Sequence, residues 1–101
     1  MNDVARRLAA AGLSEAESLV KARLFERASR VLGAAAASDA GPDLALYVPG
    51  RIELFGKHTD YAGGRSLLCT VERGFCLLAR PRKDARVCVT DAASGEAAAF
   101  D

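Results

Sequence analysis

Leu44-Ala45-Leu46-Tyr47-Val48-Pro49-Gly50-Arg51-Ile52-Glu53-Leu54-Phe55 decides how this chain folds, because its apolar residues recur at every second position on both sides of a Pro-Gly break. Leu44, Leu46 and Val48 alternate before the break, and Ile52 and Leu54 after it. A period of two marks a strand with one apolar face. Proline cannot donate to a ladder and glycine accepts a bend. The stretch therefore reads as one strand, 44–55, kinked or bulged near Pro49-Gly50.

Working towards the carboxyl end, a polar, Gly-rich loop runs from Gly56 to Ser66. Leu67–Glu72 reads as a strand, Arg73-Gly74 as a tight turn and Phe75–Arg80 as another strand. Pro81–Asp84 is then a turn, Ala85–Asp91 a strand, Ala92–Gly95 a turn, and Glu96–Phe100 a last strand. Such short turns predict antiparallel neighbours.

Towards the amino end the period is helical. Asp3 is expected to cap a short helix with Val4, Leu8 and Ala11 on one face, ended by Gly12. Ser14 and Glu17 fit a reciprocal capping box at the start of a longer helix. Leu13, Ala16, Val20, Leu24, Ala28 and Val31 supply its apolar stripe, and Gly33 its stop. Ala34 to Asp43 is a small-residue connector. The expected organisation is a helical arm (1–33), a connector (34–43) and a sheet-forming region (44–101), an α+β chain whose helices cover part of a mostly antiparallel sheet.

Composition bounds the function. The 101 residues suit one small domain or part of a larger one. With 14 basic and 13 acidic residues the net charge is +1, which speaks against nucleic acid or an anionic membrane as a partner. No apolar run spans a bilayer, and the start lacks the apolar core of a signal peptide, so a cytoplasmic protein is expected. Cys69, Cys76 and Cys88 lie in apolar runs without C-x-x-C spacing and read as free, buried thiols. Much of the apolar content is Ala, so little area is available to a core.

The chemistry is concentrated in Pro49-Gly50-Arg51-Ile52-Glu53-Leu54-Phe55-Gly56-Lys57-His58-Thr59-Asp60-Tyr61-Ala62-Gly63-Gly64. A strand delivers Arg51 and Glu53 on one face. A loop then presents Lys57, His58, Thr59, Asp60 and Tyr61, including the only His of the chain. Dense polar groups on a loop held by strands are a common way to build a binding site. A carboxylate can accept from two adjacent sugar hydroxyls, and Arg or Lys can offset charge on a phosphoryl group. The inventory suits a polyhydroxylated ligand beside a phosphate. It equally allows His58 and Asp60 to do no more than stabilise a tight loop.

Other readings fit less well. A phosphate-binding P-loop needs four residues between its glycines and a hydroxyl after its Lys. Gly50 and Gly56 have five between them, and His58 follows Lys57. A zinc site on His58 and Asp60 lacks a third ligand at sensible spacing, and no metal site is expected. A Cys69–His58 nucleophile pair meets the objection that an apolar strand disfavours the thiolate.

Residues 50–64 resemble the galactokinase signature G-R-[VI]-N-L-I-G-E-H-T-D-Y-x-G-G, with the His58-Thr59-Asp60-Tyr61 core matching completely. Galactokinases belong to the GHMP small-molecule kinases. The resemblance implies the amino-terminal part of a GHMP kinase lobe, a truncated chain, and an ATP-dependent transfer of the γ-phosphate to a sugar hydroxyl. It implies a catalytic role for Arg51 beside the transferred phosphate. It also implies a substrate-binding set of Glu53, Lys57, His58, Asp60, Tyr61 and Gly63, in which His58 and Asp60 hold hydroxyls, Tyr61 supports the loop and Gly63 shapes it. A non-catalytic, sugar-binding regulator of the same family is the alternative.

Two positions depart from the signature. Glu53 stands for Asn and Lys57 for a sugar-binding Glu. A Lys only donates and attracts anions, so the resemblance shifts towards a sugar bearing a carboxylate or other acceptor. A Lys57–Glu53 ion pair would instead remove that charge from the ligand. The Gly/Ser-rich segment that holds ATP in this family, and its catalytic carboxylate, have no counterpart here. ATP and Mg²⁺ are thus expected in the full-length enzyme, with neither bound tightly by these 101 residues, and the remainder of the kinase chain as the missing partner.

Overall fold

A computed structural model describes residues 2–35, 44–56 and 60–101. The first helix, α1, spans Asp3–Ala10, and α2 spans Glu15–Ala35. Among the described residues four strands follow: β1 (Leu44–Phe55), β2 (Leu67–Ala79), β3 (Val87–Thr90) and β4 (Ala97–Phe100), with a turn of 3-10 helix at Asp60–Ala62. Helices first, antiparallel strands after, is the α+β arrangement expected from the sequence. The strands form two two-stranded ladders, β1 with β2 and β3 with β4, in place of one sheet.

The arm differs from expectation in its caps and its face. Asn2, not Asp3, caps α1: its Oδ1 accepts from the Ala5 N–H at 2.8 Å. Its Nδ2 also donates to Glu26 at 3.2 Å, which ties α1 to α2. Gly12 ends α1 at φ +111°, in the left-handed region expected of it. α2 passes through Gly33 without stopping. Its buried face is Ser18, Lys21, Ala22 and Phe25, whereas Val20 and Leu24 stay exposed. Ser18 and Ala22 are small enough to let the helix approach β2 closely, so backbone proximity outweighs the larger apolar side chains in choosing the face. Lys21 is only 7% exposed and makes a 2.7 Å bond to Glu17 one turn earlier, a contact that raises its pKa against the opposing effect of burial.

β1 is a single strand with a register shift between Pro49 and Gly50, as its alternation predicts. β2 is a correction. It runs unbroken from Leu67 to Ala79, where a turn at Arg73-Gly74 was expected. Pro49 lies opposite Gly74 and Gly50 opposite Val71, which leaves Glu72 and Arg73 as a bulge. A Cβ on Gly74 would come within 2.3 Å of the Val48 carbonyl oxygen. Glycine is thus required here by the approach of β1, not by a chain reversal.

The ladder has two different faces. Ala45, Tyr47 and Leu78 join Val4, Leu8, Ala22 and Phe25 around a cavity of about 470 Å³ between helices and sheet. Cys76 lies under α2, its thiol donating to the Lys21 carbonyl at 3.9 Å, and burial raises its pKa. The opposite face carries Leu44, Leu46, Val48, Phe75 and Leu77, all exposed. Cys69 and Cys88 are exposed as well, contrary to the buried thiols expected, although all three cysteines are free. β3 and β4 pack chiefly on each other. Their turn is held by Asp91, which accepts from the Ala93 N–H at 2.8 Å, and by Gly95 at φ +80°. No helix among the described residues is long and apolar enough to cross a membrane.

Candidate functional site

The second half of β1 carries the site. Arg51 lies opposite Thr70 and Glu53 opposite Leu68. Two residues apart on one strand, Arg51 and Glu53 share a face, and both are exposed. Counting by two back along β1 puts them on the side of Ala45 and Tyr47, which is the side α2 covers further along the ladder.

Gly56 closes the neck of the loop that follows. It adopts φ +95°, and a Cβ there would sit 2.3 Å from the Arg65 carbonyl oxygen and 2.6 Å from the Ser66 Cα. Both the dihedral and the space demand glycine. The strand end and the loop end are therefore held against each other at the base. Asp60–Ala62 forms the 3-10 turn, Tyr61 is 77% exposed, and Gly63 leaves the turn at φ +79°.

Of the residues singled out in the sequence, Arg51 and Glu53 are brought together on one strand face, with Tyr61 and Gly63 on the loop that the neck returns to β2. Asp60 opens the 3-10 turn. Lys57 and His58 lie outside the described residues, and so does the choice between a ligand-facing Lys57 and a Lys57–Glu53 pair. Among the described residues, no group of three or more His, Cys, Asp or Glu converges to hold a metal ion. The cavity under α1 and α2 is lined by none of the site residues.

Sequence reasoning missed Glu72. Its carboxylate accepts from both the backbone N–H and the hydroxyl of Ser14, the latter at 3.1 Å. Those two bonds from Ser14, the backbone one foremost, lower its pKa. The half of the capping box expected of Glu17 is thus supplied by β2, while Glu17 turns to Lys21 and Ser14 Oγ still accepts from the Glu17 N–H at 3.3 Å. The backbone carbonyl of Glu72 accepts from the Tyr47 hydroxyl at 2.5 Å. No local pattern announces a partner 58 residues away.

Residues 35–81 match the galactokinase galactose-binding signature. The chain is 44% identical over 48 residues to the galactokinase of Staphylococcus carnosus, 40% over 45 residues to that of Pasteurella multocida, and 41% over 56 residues to that of Homo sapiens. These stretches cover 48%, 45% and 55% of this chain but only 12%, 12% and 14% of those relatives. No solved structure matches the chain significantly.

Proposed function

From the premise that residues 35–81 carry the galactokinase galactose-binding signature, we propose that this chain is the sugar-recognition segment of an ATP-dependent kinase acting on galactose or a galactose-like, acidic or modified sugar. The supporting observation is the match of the signature to a strand and loop whose neck only glycine can close. In this reading the segment belongs to the amino-terminal lobe of a cytoplasmic GHMP kinase. Asp60 and His58 take sugar hydroxyls, Glu53 and Lys57 read the edge of the ring, Tyr61 and Gly63 hold the loop, and Arg51 lies beside the phosphoryl group.

The described residues do not fit a nucleotide. Phosphates favour helix N-termini whose N–H groups are open and whose first turn lacks acids. α1 opens on Asp3, and α2 opens on Glu15 and Glu17 with the Glu72 carboxylate already on Ser14. The part of this segment is to bind and orient the sugar and to present a guanidinium where charge develops.

Titration of the 101-residue chain with galactose and with galacturonate, followed by NMR of the Arg51–Gly64 amides, tests this reading. Shifts confined to those amides, larger for galacturonate and reduced by Lys57→Glu, are expected. Phosphorylation by the isolated chain is expected to be absent. A response to neither sugar, or kinase turnover above background, would overturn the proposal.

A further inference from the structure

Glu72, a residue of β2, bonds both the helical arm and β1. Glu72 sits in the bulge where the β1–β2 register shifts. Its carboxylate holds the start of α2 through Ser14, and its carbonyl holds β1 through Tyr47. Immediately across the bulge, Gly50 begins the segment that carries Arg51 and Glu53 into the loop. That junction is tight: a Cβ on Gly50 would lie 3.0 Å from the Arg73 carbonyl oxygen and 3.2 Å from Val71. A bulge re-aims the strand that leaves it, so whatever fixes the bulge fixes the direction of that strand.

We propose that Glu72 is a positioning residue: by clamping α2 to the bulge, it sets the pose of the strand carrying Arg51 and Glu53. The proposal rests on the sugar-recognition reading for its functional consequence, but not for its structural one. Through this clamp the helical arm, which carries none of the signature's functional groups, acts on the site. Among the described residues, Ser14 at the head of α2 bonds the Glu72 carboxylate, while Glu17 and Lys21 are engaged with each other. The clamp therefore consists of Ser14 and Glu72.

Backbone hydrogen exchange on the 101-residue chain separates this clamp from a general loss of stability. Glu72→Ala is expected to speed exchange of the Arg51–Phe55 amides by at least about tenfold. Glu72→Gln keeps an acceptor for the Ser14 N–H and stays near the unaltered chain. Ser14→Ala, which removes the hydroxyl bond to Glu72 together with the cap on the Glu17 N–H but keeps the backbone bond, falls between them and serves in place of Glu72→Ala should that variant lose its helix signal. Asn2→Ala weakens the arm at its far end and leaves these amides unchanged. The proposal is overturned if the clamp variants leave exchange at Arg51–Phe55 unaltered, or if Asn2→Ala speeds it equally. Sugar titration of the same variants adds the functional arm: about tenfold weaker binding for Glu72→Ala and restored binding for Glu72→Gln. A chain that binds no sugar would refute the sugar reading alone, since exchange still decides the clamp.

Discussion

Single residues show where local chemistry is satisfied and where it is not. Ser18 is fully buried, and its hydroxyl has no hydrogen-bond partner among the described residues. A buried hydroxyl without a partner keeps its desolvation cost and gains nothing in return. Ser18→Ala is expected to stabilise the chain by about 1 kcal/mol in urea unfolding, helped by the higher helix propensity of Ala. Asp84 is the opposite case. It receives two bonds from Arg82, at 2.8 and 2.5 Å, and one from the Arg86 N–H at 3.2 Å. The Arg82 bonds come first in lowering its pKa from 3.8 to about 2. A carboxylate held low contributes stability above its ordinary pKa and loses it as pH falls through the folded value, so this contact is intact above 3.8 and gone below about 2. An NMR titration of Asp84 is expected to show a midpoint near 2 that returns towards 3.8 in Arg82→Gln. Arg82-Lys83-Asp84 was legible in the sequence as a turn. The fork-shaped pairing within it needed the geometry.

Elements show how local signals lose to long-range ones. Arg73-Gly74 carries the composition of a turn, and β1 overrides it by pairing across the site. The same glycines separate two kinds of constraint. Gly74 has no left-handed dihedral but lies against the Val48 and Pro49 backbone, at 2.3 and 2.8 Å from a would-be Cβ. Gly63 has φ +79° and nothing within 4 Å. Gly74→Ala must push two backbones apart and is expected to cost about 3 kcal/mol. Gly63→Ala meets only its dihedral and is expected to cost about 1 kcal/mol. Unfolding measurements on the two variants that reverse this order would refute the assignment of Gly74 to close strand approach. For α2 the sequence correctly shows a helix from the 3.6 period, but not its buried side. Two apolar or small-residue faces lie side by side on it, and only contact with β2 selects between them.

At the scale of the whole molecule, apolar surface exceeds what the chain covers. Its Cα radius of gyration is 17.0 Å, against roughly 13 Å for a compact domain of this length. Among the described residues the buried apolar ones are Ala5, Leu8, Ala22 and Phe25, while Phe75 remains 79% and Leu44 56% exposed on the open face of the ladder. Such a contiguous patch binds hydrophobic dye and promotes self-association. Phe75→Thr with Leu77→Thr is expected to reduce dye fluorescence and slow association without loss of helix signal. Unchanged dye binding would show that the open face is not the adsorbing surface. The sequence by itself determined the two helices, the long kinked strand, the glycine-bounded loop and the galactokinase-type signature, because each is written in residues that are neighbours along the chain. Only the tertiary structure decided the continuity of β2, the buried side of α2 and the Ser14–Glu72 clamp. In each of these the deciding group lies on another element, and composition carries no distance between them.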